Sequence, residues 1–150
     1  MSDMFSSNKV YLAGRYRDQE FLKEVRQGLR DVGFEVTSRW LDQPNVQLRP
    51  GDDTWGGGYG QVCAERDLAD LDASDILILD LSNGVSTRGG MYVEFGYALS
   101  ACLEIIVIGP RSNVFTYLPG VTVFSDWETF FDGYTGWNDQ SLGSSNSINS

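Results

Sequence analysis

Histidine is absent from the 150 residues of the sequence, and its absence excludes several kinds of chemistry. Histidine is the usual general base near neutral pH, the partner of serine and cysteine nucleophiles, and the commonest zinc ligand. Acid-base chemistry in this chain therefore falls to carboxylates. The aspartates also lack the spacing of a metal-binding loop, so we predict no metal site.

Basic charge is scarce, with 11 lysines and arginines against 21 acidic residues and a formal net charge of -10. This balance disfavours nucleic acid polymers and anionic membranes as partners, although a local arginine pair could still bind a small anion. No apolar run approaches the ~20 residues that span a bilayer, and the amino-terminal residues have no signal-peptide core. We expect a cytoplasmic protein that does not bind a membrane.

Cysteines and cofactor motifs are few as well. The two cysteines, Cys63 and Cys102, lie in unrelated contexts, which predicts reduced structural thiols rather than a disulfide. The glycine run 56–58 does not follow a strand and lacks the G-x-G-x-x-G spacing of a dinucleotide site. We therefore predict no cofactor.

What the sequence does contain is a regular alternation of strand-like and helix-like segments. Residues 76–80 and 104–109 are continuous apolar runs, which are typical of strands buried on both faces of a parallel sheet. Further strands are predicted at 9–14, 34–38 and 121–124, and helices at 18–32, 61–72, 89–101 and 127–131. This order predicts an α/β fold: a doubly wound, Rossmann-like or flavodoxin-like parallel sheet of about five strands with helices on both faces.

A single domain is predicted over residues 9–132, since a chain of this length fits one hydrophobic core. Residues 1–8 are predicted to be a flexible amino terminus, and residues 133–150, rich in glycine, serine and asparagine, a disordered tail. Within the domain, residues 41–60 contain prolines and glycines without periodicity, which predicts a long lid loop. The aromatic residues of this region, which could stack on a flat ligand, are Trp40, Trp55 and Tyr59.

Glu94 is the first candidate for chemistry. It lies near the start of the predicted helix 89–101, after a loop at the carboxyl edge of the sheet, where open α/β sheets bind their ligands. The helix dipole favours an ionised carboxylate there, and a carboxylate can attack an anomeric carbon, as in retaining glycosidases. The alternative is that Glu94 is only a favourable charge at a helix start.

Asp67 and a set of arginines are the other charged candidates. Asp67 follows the predicted lid and belongs to a cluster of aspartates, most of which must be solvated to stay ionised. The other members of that cluster are Asp70, Asp72 and Asp75. The arginines at the ligand edge, which suit a phosphate or carboxylate, are Arg15, Arg17 and Arg88. The alternatives are a solvent-facing helix carboxylate and ordinary surface ion pairs.

Taken together, four segments resemble the nucleoside 2-deoxyribosyltransferase superfamily over residues 9–131. They are Val10-Tyr-Leu-Ala-Gly14, Ala64-Glu-Arg-Asp67-Leu68, Asp75-Ile-Leu-Ile-Leu-Asp80 and Gly89-Gly-Met-Tyr-Val-Glu94-Phe-Gly-Tyr-Ala98. The resemblance is most specific in the last segment, whose glutamate is the nucleophile in that superfamily.

The resemblance implies roles for individual residues. Glu94 would form a deoxyribosyl-enzyme ester, Asp67 would contact the base and help to protonate it, and Tyr11 would orient Glu94. Asn113 and Phe115 look like the Asn-x-Met element that a neighbouring subunit contributes to the sugar site in that superfamily. The resemblance therefore implies a homo-oligomer with sites at subunit interfaces, whose small-molecule partners are a nucleoside or nucleotide and a free base.

The loop before Glu94 departs from the classical transferases, which carry an aspartate there. Here it reads Asn83-Gly-Val-Ser-Thr-Arg88, without an acid. The branch that hydrolyses 5′-monophosphates also lacks this aspartate, and it binds phosphate through an arginine in the first glycine turn and a hydroxyl residue before the glutamate. Arg17 and the stretch Ser86–Arg88 look similar to that arrangement. The residues assigned to substrate binding are Gly14, Arg17, Thr87, Arg88, Gly90, Asn113 and Phe115.

The expected activity is that of a nucleoside 2-deoxyribosyltransferase-like enzyme. It would cleave the N-glycosidic bond of a 2′-deoxynucleoside or deoxynucleotide through a covalent intermediate on Glu94 and transfer the sugar to another base. One alternative is a 2′-deoxynucleoside 5′-monophosphate N-glycosidase, in which water is the acceptor. The other is a non-catalytic nucleotide sensor, which would bind deoxynucleotides without releasing base.

Overall fold

The computed structural model describes residues 8–44, 56–84 and 89–133. Predictions that fall on the rest of the chain, including most of the flexible terminus, the middle of the lid and the carboxyl-terminal tail, lie outside the described residues. Within them, no helix has both the length and the apolar character that crossing a membrane requires. Both cysteines are free thiols, and Cys63 is buried as predicted for a structural thiol, whereas Cys102 is exposed.

One parallel sheet organises the molecule. Its strands are β1 Lys9–Ala13, β2 Glu35–Val36, β3 Ile76–Asp80, β4 Glu104–Ile108 and β5 Val121–Phe124. They lie in the order β2-β1-β3-β4-β5, and every neighbouring pair is parallel. All residues of β3 are buried, as its continuous apolar sequence predicts for a central strand. The predicted parallel sheet of about five strands is confirmed.

Helices cover both faces of this sheet. They are α1 Gln19–Asp31, α2 Tyr59–Asp72, α3 Gly90–Ser100 and α4, residues 127–133. On one face α4 meets α1, where the Phe131 ring lies against Gly28, and on the other face α2 packs beside α3. Right-handed crossovers account for this division, because the chain moves outward from β1 to β2 and then reverses direction towards β3.

The edge strand β2 is shorter than the predicted strand 34–38. Only Glu35 and Val36 pair with β1. Beyond them the backbone N–H of Leu12 donates to the Ser38 hydroxyl at 2.8 Å, so a side chain replaces the next bond of the ladder. The chain therefore leaves the sheet at Ser38 and turns across the end of β1.

The segment predicted to begin a lid is part of the core. Residues Arg39–Asp42 form a 3-10 helix, and Trp40 is 4% exposed. The Trp40 indole N–H donates to the backbone oxygen of Leu12 at 2.9 Å, which satisfies its polar atom on burial. Trp40 is therefore a core residue, and its interpretation as a stacking residue of a lid is wrong.

At its other end the predicted lid 41–60 gives way to a helix. The α2 helix begins at Tyr59, earlier than the predicted residue 61. Gly58 precedes it with φ 89°, a conformation that glycine adopts without the strain of a side chain. The remaining lid candidate, Trp55, lies outside the described residues.

Candidate active site

Glu94 and Tyr11 are brought together by the packing of α3 on the sheet. Glu94 is the fifth residue of α3 and is half-buried, and its Oε2 accepts a hydrogen bond of 2.6 Å from the Tyr11 hydroxyl. Tyr11 lies on β1 and is completely buried, so the surrounding core fixes its ring. The position of the Glu94 carboxylate is thus set by a rigid strand of the sheet.

Asp67 reaches the same place from the neighbouring helix α2. Its negative charge acts on both Tyr11 and Glu94. Arg66 donates to Asp67 Oδ1 through Nη2 at 2.8 Å and through Nε at 3.1 Å. The structure therefore gathers the three residues that the sequence assigned to catalysis, and it adds an arginine beside them.

The environment of Glu94 shifts its protonation towards neutral pH. Burial raises the pKa of Glu94 from 4.5 to about 7. The Tyr11 hydrogen bond lowers this pKa, the Asp67 charge raises it, and the Arg66 charge lowers it. With its pKa raised in this way, the ionised form of Glu94 is more basic than an ordinary carboxylate. Such a group is suited to nucleophilic attack near neutral pH.

The two partners of Glu94 are also held in defined states. Burial, followed by the charges of Glu94 and Asp67, raises the pKa of Tyr11 well above its usual value, so the hydroxyl remains a donor. Burial raises the pKa of Asp67 as well, while the hydrogen bond and charge of Arg66 lower it. Asp67 can therefore hold a proton at a higher pH than an exposed aspartate.

Comparisons with known proteins bear on the fold. No protein-family model and no curated protein matches the chain. Among solved structures, the 2-deoxyribosyltransferase of Bacillus psychrosaccharolyticus is similar, with a TM-score of 0.63 and 19% sequence identity, and the match covers 82% of this chain and 90% of that one. The chain has the deoxyribosyltransferase fold.

A second solved structure is similar over much of the chain. The CMP N-glycosidase of Clostridium botulinum matches with a TM-score of 0.55 and 14% sequence identity, covering 85% of this chain and 98% of that one. The deoxyribosyltransferase fold that the sequence resemblance implied is thus confirmed.

Gly14 and Arg17 lie where the first strand of the deoxyribosyltransferase fold meets α1. A Cβ atom at Gly14 would be 2.6 Å from Leu22 Cδ1, so a larger residue there would displace the end of the buried Leu22 side chain. Arg15 is engaged with Asp18 at 2.7 Å, whereas Arg17 is exposed. Of these two arginines, Arg17 is the more exposed.

Among the described residues, the other predicted substrate-binding residues make no side-chain hydrogen bond with Glu94. Asn113 Oδ1 accepts a 2.9 Å bond from the backbone N–H of Phe115 and so caps the 3-10 helix Val114–Tyr117. Gly90 begins α3, and a Cβ atom added there would meet no atom of the described residues beyond its own helix within 4 Å. Across the described ranges, no side-chain hydrogen bond or ion pair connects Asn113 or Phe115 to Glu94. Thr87 and Arg88 lie outside the described residues.

Sequence reasoning missed a polar network beside the site. Arg66 Nη2 also donates to Gln43 Oε1 at 2.6 Å, and the Gln43 amide donates to the Tyr16 hydroxyl. Tyr16 in turn packs edge-on against Trp40, with ring centroids 5.3 Å apart. The sequence could have indicated Arg66, since it directly precedes Asp67. It could not have indicated Gln43, because the position of Gln43 depends on the path of the preceding 3-10 helix.

The aspartates of the sequence cluster have different environments. Asp70 is 5% exposed and accepts from Arg39 Nε at 2.9 Å, so it is not solvated as most of the cluster was expected to be. Asp72 is exposed, and Asp75 is half-buried like Asp67. Asp80, which sequence reasoning did not select, is completely buried and accepts from the Trp127 indole at 3.0 Å. In the part of the chain that the structure describes, no three such side chains form a metal-binding group.

Proposed function

We propose that this chain is an enzyme of the nucleoside 2-deoxyribosyltransferase superfamily that cleaves the N-glycosidic bond of a 2′-deoxynucleoside or deoxynucleotide. The observation that carries the proposal is the 2.6 Å hydrogen bond from the buried Tyr11 hydroxyl to Glu94. This bond holds one carboxylate oxygen and leaves the other for attack. The fold shared with a 2-deoxyribosyltransferase and a CMP N-glycosidase supports the same class of reaction.

The reaction has two displacements. In the first, the ionised Glu94 carboxylate attacks C1′ while the C1′–N bond breaks and its electron pair leaves with the base. Asp67 supplies a proton to the departing base, which its raised pKa favours. In the second, a nitrogen of an incoming base attacks C1′, its proton passes to Asp67, and Glu94 is released as a carboxylate. Tyr11 keeps Glu94 in position throughout.

Hydrolysis of a 5′-monophosphate is the second candidate, in which water replaces the incoming base. Two observations favour it. Arg17 is exposed at the carboxyl end of β1, where a phosphate could meet it, and residues 83–88 contain no acid to repel that phosphate. A non-catalytic nucleotide sensor would use the same edge of the sheet but would need no activated glutamate.

The proposal includes association of subunits. The 3-10 helix Val114–Tyr117 and the residue after it carry large apolar side chains that are exposed in one chain. They are Val114, Phe115, Tyr117 and Leu118, with exposed fractions of 74%, 55%, 67% and 41%. Apolar side chains clustered in this way favour burial against a partner. We propose that a second copy of this chain covers them and receives Asn113 at its sugar site.

Activity on a substrate panel tests the proposed function. Purified protein is incubated with deoxynucleosides and their 5′-monophosphates, with and without free adenine or cytosine, and free base and new nucleoside are separated by chromatography. New nucleoside supports the transferase, and base release without exchange supports the glycosidase. Binding without either product would leave the sensor.

Variants of Glu94 then test the nucleophile. Glu94→Gln keeps the shape and the Tyr11 contact but cannot form the ester, so turnover should fall by about a thousandfold or more. The matched control is Glu128→Gln, an exposed glutamate of α4 that should retain full activity. Mass spectrometry of acid-quenched wild-type protein should detect deoxyribose attached to Glu94. Normal turnover in Glu94→Gln would overturn the assignment.

A further inference from the structure

Arg66 contacts its immediate neighbour in the helix, which is an unusual arrangement. Consecutive side chains of an α-helix point roughly 100° apart, and ion pairs normally join residues three or four positions apart. Here the guanidinium group folds sideways, and both Nε and Nη2 donate to Asp67. The helix geometry alone does not favour this contact, so other contacts must hold Arg66 in place.

The two bonds from Arg66 end on the same oxygen atom. Nη2 and Nε lie 2.8 Å and 3.1 Å from Oδ1 of Asp67. No described residue donates a hydrogen bond to the second oxygen, Oδ2. The carboxyl group of Asp67 is therefore held in one orientation with a single oxygen left for a ligand.

The far side of Arg66 is anchored to a rigid part of the fold. Its Nη2 donates to Gln43 Oε1 at 2.6 Å, and Gln43 is 7% exposed. The backbone oxygen of Gln43 accepts from Gln19 Nε2 at 2.7 Å, and the same amide group donates to the Trp40 oxygen at 2.9 Å. Gln19 itself is 1% exposed, so the anchor lies within the core.

We propose that Arg66 is a positioning residue, which links the fixed Gln43 to Asp67 Oδ1 and thereby presents Oδ2 of Asp67 to the substrate base. The inference rests on the function proposed above and deepens it, because it names the group that aims the proton donor. Only Oδ2 can then exchange a proton with the base, since Oδ1 is occupied by the guanidinium group. The positive charge also faces Glu94, whose pKa it lowers.

Three variants separate the parts of this role. Arg66→Gln removes the positive charge and the paired hydrogen bonds from Nε and Nη2 to Asp67 Oδ1. Arg66→Lys keeps the charge but cannot form this pair of bonds, and Gln43→Ala removes the acceptor that anchors Arg66. Arg30→Gln is the matched control, because Arg30 is an exposed arginine of α1 on the other face of the sheet. Titration of the Asp67 and Glu94 carboxyl carbons by NMR, together with the pH profile of kcat/KM, gives the readouts.

A positioning role for Arg66 predicts specific changes in the pKa values and in kcat. In Arg66→Gln the pKa values of Asp67 and Glu94 move upward, and kcat falls by at least about tenfold with a smaller change in KM. In Arg66→Lys the Glu94 pKa returns towards its wild-type value while kcat stays low, because a point charge does not orient Oδ1. Gln43→Ala lowers kcat in the same direction, and Arg30→Gln matches the wild type.

The experiment distinguishes a missing positioning role of Arg66 from a missing activity of the wild-type protein. If wild-type protein turns over its substrate and folded Arg66→Gln keeps the same kcat and pH profile, Arg66 has no positioning role. If wild-type protein releases no base from any substrate, the proposed function fails. The NMR titration of Asp67 and Glu94 then still tests the contacts inferred for Arg66. Unchanged pKa values of Asp67 and Glu94 in Arg66→Gln would then overturn the contacts inferred for Arg66.

Discussion

Glu94 is subject to opposing influences at the scale of a single residue. Burial raises its pKa to about 7, and the hydrogen bond from Tyr11 lowers the pKa by stabilising the ionised form. A nucleophile must be ionised, so the active form of the free enzyme accumulates as pH rises through this pKa. Loss of the Tyr11 hydroxyl removes an influence that lowers the pKa, and the remaining burial then acts more strongly.

We predict from this balance that kcat/KM falls about tenfold for each pH unit below a break near pH 7. In Tyr11→Phe the break should move to higher pH, because the Glu94 carboxylate loses its donor. The measurement is kcat/KM across the pH range in both proteins. Tyr97→Phe is the control, since the Tyr97 hydroxyl bonds Asp72 at the surface. A break that does not move in Tyr11→Phe would contradict the proposed role of Tyr11.

At the scale of secondary-structure elements, β4 is followed by a glycine that the fold requires. Gly109 has φ 117°, and a Cβ there would be 2.7 Å from the carbonyl carbon of Leu81. The atoms in the way belong to the backbone that follows β3, so they cannot move aside as a flexible side chain does. Gly96 in α3 is the opposite case, because a Cβ added there would meet no atom of the described residues beyond its own helix within 4 Å.

The same substitution at these two glycines should have opposite effects. We predict that Gly109→Ala lowers the free energy of unfolding by about 2–4 kcal/mol, through backbone strain and a clash. Gly96→Ala should raise it by up to about 1 kcal/mol, because alanine is the better helix former. Urea denaturation of both variants measures the difference. Destabilisation of similar size at both positions would show that open space around Gly96 does not matter.

The elements also differ in how far the sequence could predict them. The apolar runs of β3 and β4 and the helical pattern of α1 depend on local sequence, and their positions agree with the prediction. The 3-10 helix Arg39–Asp42 was missed because its signal, an aromatic residue before a stretch rich in glycine and proline, is also that of a loop. Its burial depends on the Trp40 contact with β1, which no local pattern contains.

The residues of the candidate site also differ in whether the sequence could predict them. Glu94, Asp67 and Tyr11 could be selected because they fall on motifs of a known superfamily, and Arg66 could have been selected as the neighbour of Asp67. Gln43 could not, since its contact with Arg66 requires the fold to bring two distant segments together. Long-range polar contacts of this kind follow from tertiary packing rather than from periodicity.

At the scale of the whole molecule, the exposed apolar side chains of residues 114–118 predict self-association. Phe115→Glu places a charge in this surface and should shift the protein towards monomer in sedimentation velocity experiments. Phe21→Glu is the control, because Phe21 is 37% exposed on α1, away from that surface. A wild-type protein that sediments as a monomer at all concentrations would exclude the proposed assembly.

Because β2 has only two residues, this edge of the sheet should be less stable locally than the central strand β3. Past Val36 the chain is held to β1 by the backbone N–H of Thr37, which donates to the Val10 oxygen, and by the side chains of Ser38 and Trp40. By contrast, β3 has a ladder of hydrogen bonds on both sides. Amide hydrogens at the β2 edge should therefore exchange through small local openings, whereas those of β3 should exchange only when the domain unfolds. The α3 helix, which carries Glu94, packs on β3 and β4, so the nucleophile should stay in place while the β2 edge opens.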